Sequence, residues 1–206
     1  YSLVVTLDAR VRAELAPCHF NQAMVTEAPC VVTVCADVHR FSKWCEQRDA
    51  DPAYDNFEWF LNAATDALLA AQNLCIEAES HGLGICYLGT TLYTAGDIAR
   101  ILELPKGVIP LTTVVVGYPD ESPELTDRLP LDAVVHCEKY HHYTSSEIDE
   151  LWAEKETSEE TRRLLEENGL PNLAQIFTRN RYRAEDNLAI SRNYFALLKK
   201  QGFFNN

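Results

Sequence analysis

The stretch Asp66-Ala67-Leu68-Leu69-Ala70-Ala71-Gln72-Asn73-Leu74-Cys75-Ile76-Glu77-Ala78-Glu79-Ser80-His81-Gly82-Leu83-Gly84-Ile85-Cys86-Tyr87-Leu88-Gly89-Thr90, continued through Leu104-Pro105 to Gly117-Tyr118-Pro119, decides the fold. A helix of small residues runs into a glycine turn at His81-Gly82. A short aromatic-aliphatic segment follows, and the β-branched run Leu111–Val116 closes on Gly-Tyr-Pro. Upstream, Phe57, Phe60, Leu61, Ala64, Leu68, Ala71, Leu74, Cys75 and Ala78 recur at helical spacing, while Ala63, Ala67 and Ala70 make other faces apolar too. The pattern predicts one long buried helix over 57–80, stopped by Gly82. One small domain offers too little cover for such a helix, so a second copy of the chain is expected over it as a homodimer.

Working outward, Ser2–Thr6 and Cys30–Cys35 read as strands, the second a β-branched run of the kind buried on both faces. Leu7–His19 reads as a short helix with Leu15 and Phe20 facing inward, and Asp37–Tyr54 as a polar loop with a helical turn. Thr94-Ala95-Gly96-Asp97 resembles a capping box opening a helix over Ile98–Leu104. Beyond Tyr140 charged helices take over, near 146–157, 157–168, 173–181 and 185–201, with the narrow apolar stripes of surface or interface helices. The expected fold is α+β: an α/β sandwich with a mixed, mainly antiparallel sheet flanked by helices and a C-terminal helical extension. The division expected is 1–140 for the main domain and 141–206 for its helical extension.

Composition sets bounds. With 206 residues the chain can bury one sizeable core. A net charge of −13 argues against nucleic acid as a partner, because that binding needs a basic surface to displace phosphate counterions. The apolar runs are too short for a bilayer span, so no membrane partner is expected. Seven cysteines without a C-x-x-C pair read as reduced thiols in a cytoplasmic protein. His136, Cys137, His141 and His142 match no common zinc spacing, so no metal is expected.

Several chemistries can be set aside. Gly82-x-Gly84-x-x-x-x-Gly89 has the wrong spacing for a dinucleotide fingerprint, follows a helix and lacks the Gly-Lys-Ser/Thr of a phosphate loop. Alone, it reads as a helix cap followed by a β-turn. No cysteine lies in a nucleophile segment, and Glu159-Glu160 sits on an exposed helix with no apolar pocket to raise a pKa.

The ordered pieces resemble the nitroreductase family of FMN-dependent NAD(P)H oxidoreductases: the Ala-Ala-Gln-Asn-Leu helix, His-Gly-Leu-Gly, Tyr87-Leu88-Gly89-Thr90, Leu104-Pro105, Gly117-Tyr118-Pro119, Leu125-Thr126-Asp127-Arg128-Leu129-Pro130 and Ala133-Val134-Val135-His136. The resemblance implies that Tyr87, Leu88, Gly89 and Thr90 run along the flavin ring, with the Gly89 amide near N5, where the absence of a side chain admits close approach. It gives Arg128 the FMN phosphate, with Thr126 standing where the family commonly has lysine. Without the resemblance Arg128 is a surface arginine beside Glu124 and Asp127. Gln22 matches a position whose amide reaches the pyrimidine edge; alone it is a loop amide. No side chain is assigned as catalytic, since flavin N5 carries the hydride.

The implied activity is NAD(P)H-dependent reduction of nitroaromatics, quinones or flavins by ping-pong turnover of small-molecule oxidants. The alternatives are a flavin-binding or interaction protein without turnover, or a flavin-dependent dehalogenase or dehydrogenase. The resemblance also implies a C-terminal arm through Phe203-Phe204 that embraces a partner subunit. Finally, the chain opens on Ser2-Leu3-Val4-Val5-Thr6 without an initiator Met. An Arg-rich helix and a Ser/Asn/Gln segment contacting FMN phosphate and ribityl are expected ahead of Tyr1, outside this sequence.

Overall fold

The structure, a computed structural model, describes residues 1–123 and 125–204. Glu124, read above as an acid beside Arg128, lies outside the described residues. Strand β1 (Ser2–Thr6) leads into α1 (Ala9–Leu15), a tight 3-10 turn (Ala16–His19), the short α2 (Met24–Glu27) and β2 (Cys30–Asp37). Then come α3 (His39–Glu46), the long α4 (Phe57–Ser80), β3 (Gly84–Leu88), a second 3-10 turn (Gly89–Leu92), α5 (Ala95–Ile101) and β4 (Val108–Gly117). Helices α6 (Ser145–Thr157), α7 (Glu159–Asn168), α8 (Leu173–Ile176) and α9 (Ala184–Lys200) complete the chain.

The chain divides into two compact units, 1–121 with 189–206, and 122–188. This differs from the expected division at 140/141. The end of α9 belongs to the first unit because Leu197, Leu198 and Phe203 are buried in its core. Phe203 has no exposed surface and packs edge-on against Phe60 at 5.5 Å, and Phe204 stacks on Phe57 at 5.6 Å. The expected arm therefore folds into its own chain.

The four described strands lie in the order β1-β2-β4-β3, and every pairing is antiparallel. Both faces are covered. Val32, Val34, Ala36, Ile109, Leu111 and Val114 face α4, while Val31 and Val115 face Leu15, Val25 and Ile98. The alternation along β2 is the period-2 rule at work in a doubly buried strand. Strand β4 reaches back to Val108, past the Leu111 start expected from the sequence. Pro110 sits within it, opposite a register break between Val34 and Cys35; a proline cannot donate to the ladder, and the irregularity accommodates it.

Helix α4 has the expected ends. The Asn56 side chain accepts from the Trp59 N–H at 3.2 Å, and Gly82, at φ +73°, takes the left-handed conformation that stops the helix. The single chain covers one face of it. Phe60, Ala63, Ala67, Ala71 and Cys75 pack on the sheet, whereas Leu61, Leu68, Leu69 and Ile76 are about half exposed. Small side chains let the helix lie close to the β-branched surface, so the larger ones are turned outward. Phe20, expected inward, is 62% exposed.

The second unit is held by caps. Thr144 and Glu147 form a capping box at α6, and Ser158 caps α7, which ends at Gly169 with φ +63°. Among the described residues no helix is long and apolar enough to cross a membrane.

Candidate functional site

Edge strand β3 runs straight into the Gly89–Leu92 turn, and three threonines pin that turn. Thr91, fully buried, places its hydroxyl oxygen 2.9 Å from the Leu88 carbonyl and 3.0 Å from the equally buried Thr113 hydroxyl on β4. Thr94 donates to the Cys18 carbonyl at 2.8 Å. That contact explains why the expected capping box at α5 is not made: the hydroxyl that would cap the helix is used elsewhere, and Thr94 makes no side-chain cap bond. Thr90 Oγ1 lies 2.8 Å from His19 Nδ1.

Within this frame the predicted strip splits by exposure. Leu88 is 2% exposed and fills the core beside Leu15 and Ile98, so only its backbone can face a ligand. Tyr87 is 39% exposed, and its hydroxyl pKa is pushed up to about 12 by burial and by its contact with Cys75. Gly89 is exposed. A Cβ built on it would meet nothing within 4 Å, and it has no positive φ. Neither crowding nor backbone conformation demands a glycine here; what the missing side chain provides is open access to a turn whose first N–H groups have no partner inside it.

Gln22 is half-buried, and both its backbone N–H and its side-chain amide donate to the His19 carbonyl, at 3.2 and 3.0 Å. The structure therefore brings Gln22 and Thr90 onto the same residue, His19. The pattern gave no local sign of His19, because its contact with Thr90 spans 71 positions. His19 has no exposed surface, its Nε2 has no hydrogen-bond partner among the described residues, and burial pushes its pKa down to about 4. The imidazole is neutral at physiological pH.

Arg128 belongs to the second unit. It is exposed, and its guanidinium donates to the Thr126 hydroxyl and carbonyl and to the Asp127 carbonyl, the last at 3.0 Å. Thr126 is thus its immediate neighbour. Asp127 accepts from Lys155 at 2.7 and 2.9 Å, and that bond lowers its pKa. Elsewhere in the first unit, Phe41, Trp44, Tyr54 and Trp59 help line a cavity of about 670 Å³.

The donor set fits a flat, hydrogen-bonding cofactor. Within the first unit it offers an unobstructed glycine turn and a glutamine amide. Among the described residues no three His, Cys, Asp or Glu side chains cluster as metal ligands. Together these define an α+β protein with a candidate site of main-chain and side-chain amides in its first unit.

The chain belongs to the nitroreductase family, whose profile matches residues 4–118. A Bacillus subtilis (strain 168) protein named FMN reductase (NADPH) is 34% identical over 143 residues, 68% of this chain and 57% of that protein. The chain thus spans less than two thirds of the length of this curated relative. A crystal structure from Bacteroides fragilis NCTC 9343 is 51% identical and superposes with a TM-score of 0.96, covering 99% of this chain and 83% of that one. The NADPH:FMN oxidoreductase from Vibrio harveyi, solved in complex with NAD+, is 27% identical with a TM-score of 0.78, over 100% of this chain and 80% of that one.

Proposed function

We propose that this chain is the core of an FMN-dependent NAD(P)H oxidoreductase that reduces nitroaromatics, quinones or free flavins. The observation that carries the reading is the threonine-pinned, side-chain-free turn at Gly89, lying within the segment that matches the nitroreductase family. The FMN reductase and NADPH:FMN oxidoreductase names of its relatives support the choice of cofactor and reductant.

Bound FMN would supply a ring that accepts hydride from NAD(P)H and returns electrons to an oxidant. The chain's own share is positional. The backbone at Gly89 and Thr90 donates to the ring edge, and Gln22 supplies an amide to the pyrimidine side. Arg128 would meet the phosphate, a role that rests on the Leu125–Pro130 motif. No side-chain acid or base would be needed, and NAD(P)H and the oxidant would bind in turn, in ping-pong order. A homodimer is supported by the outward row of Leu61, Leu68, Leu69 and Ile76 on α4. The seven free cysteines favour a reducing, cytoplasmic setting.

The test is FMN titration of the purified protein, followed by NADPH under anaerobic conditions. The flavin band should bleach and then recover on adding a nitroaromatic or quinone; failure to bind FMN sinks the proposal. One observation favours a second reading, a flavin-binding protein without turnover: the chain's net charge of −13 does not attract the anionic phosphates of NADPH. Binding of FMN without NADPH-driven bleaching would select it.

A further inference from the structure

We infer that His19 is a positioning residue of this site, tying the loop that presents Gln22 to the turn that presents Gly89 and Thr90. The inference rests on the flavin reading of residues 87–90 and adds the device that holds that strip in place.

The geometry converges on one residue from two sides. From the loop, the His19 carbonyl accepts both N–H groups of Gln22, at 3.2 and 3.0 Å. From the turn, the His19 ring meets the Thr90 hydroxyl at 2.8 Å, while the neighbouring Cys18 carbonyl accepts from Thr94 at 2.8 Å. Residues 18 and 19 are therefore stitched to positions 90 and 94 by two polar contacts.

The loop between the ring and Gln22 is strained. Phe20 and Asn21 both hold positive φ, 56° and 54°, and Phe20 is a bulky residue for which that region is a genuine outlier. Such a conformation persists only where surroundings over-determine it, and it clusters at ligand clamps. Here the Asn21 N–H closes the turn on the Ala16 carbonyl at 2.9 Å, and the buried imidazole anchors the far side. The Phe20 ring, pushed outward, lies 5.9 Å from Tyr93 of the adjoining segment.

The tie forms in either tautomer: Nδ1–H donates to Thr90 Oγ1, or the threonine donates to Nδ1, and both hold the half-buried Thr90 side chain towards His19.

The experiment compares Thr90→Val with Thr90→Ser, supported by His19→Asn and His19→Leu, in titrations with FMN and riboflavin. Asparagine keeps a polar atom near the Nδ1 position; leucine does not. Thr90→Val and His19→Leu are expected to weaken both flavins about tenfold, the worth of one hydrogen bond. Thr90→Ser and His19→Asn should stay within about threefold of the parent, and the visible band shape of bound flavin should change only in Thr90→Val and His19→Leu. Equal binding by Thr90→Val and the parent overturns the inference alone, as does equal loss in Thr90→Val and Thr90→Ser. A parent that binds neither flavin overturns the flavin reading and, with it, this inference.

Discussion

The 89–94 turn of the first unit and the 125–143 stretch of the second are stabilised differently. The turn is held by threonine hydroxyls reaching buried partners, at Thr113, Cys18 and His19. The second stretch has one short 3-10 turn, Leu131–Ala133, and apart from the half-buried Tyr143 hydroxyl, which donates to the Ala133 carbonyl, it relies on exposed contacts: Arg128 to the Asp127 carbonyl, Asp127 with Lys155, and His141 with Glu147 at 2.9 Å. Buried polar bonds are costly to break because a lost partner cannot be replaced by water; exposed ones are screened and exchangeable. The 89–94 turn should therefore be the more rigid of the two, and the 125–143 stretch the more adaptable.

The largest expected effect tests the buried half. His19 has a folded pKa of about 4 against 6.5 unfolded, so the unfolded chain takes up its proton first. Its contribution is intact above about pH 6.5 and is lost as pH falls towards 4, reaching about 3 kcal/mol from this group. Urea unfolding of the parent and His19→Asn across that window should show a shallower acid loss in the variant. Parallel curves would mean that the ring is not held neutral.

Next comes the exposed half with its ligand. Arg128→Ala should weaken FMN by about 2–3 kcal/mol, roughly thirty- to two-hundred-fold, and leave riboflavin nearly unchanged. Thr126→Lys should tighten FMN, since it adds a second cation where the family commonly has lysine. Equal loss for both flavins would make Arg128 a surface residue and erase the contrast between the halves.

Thr91→Val is smaller but sharper. It keeps the shape and removes the hydroxyl between Leu88 and Thr113, at a cost of about 1–2 kcal/mol in chemical denaturation. No loss would show that the turn is not pinned as described. The smallest effect is expected for Asp127→Asn, which removes the exposed pair with Lys155. Its change in melting midpoint should be near the limit of detection and vanish in about 1 M salt, where screening acts within about 3 Å. A large, salt-independent loss would place Asp127 with the buried class.

Local signals carried much of the fold. Gly82 stops α4, and β-branched runs mark β2 and β4. Each is a preference satisfied within a few residues, so the chain alone determined it. The family pattern added Gly89 and Thr90, whose separation from Gly82 is fixed along the chain. Tertiary structure decided the rest. It chose the alanine face of α4 for the sheet, because close approach favours small side chains there, and turned Leu61 and Leu68 outward. It drew Phe203 into its own core, diverted Thr94 from capping to Cys18, and brought His19 to Thr90. Those outcomes depend on which surfaces meet across long sequence separations, and no residue pattern encodes such a meeting until the sheet has brought its strands together.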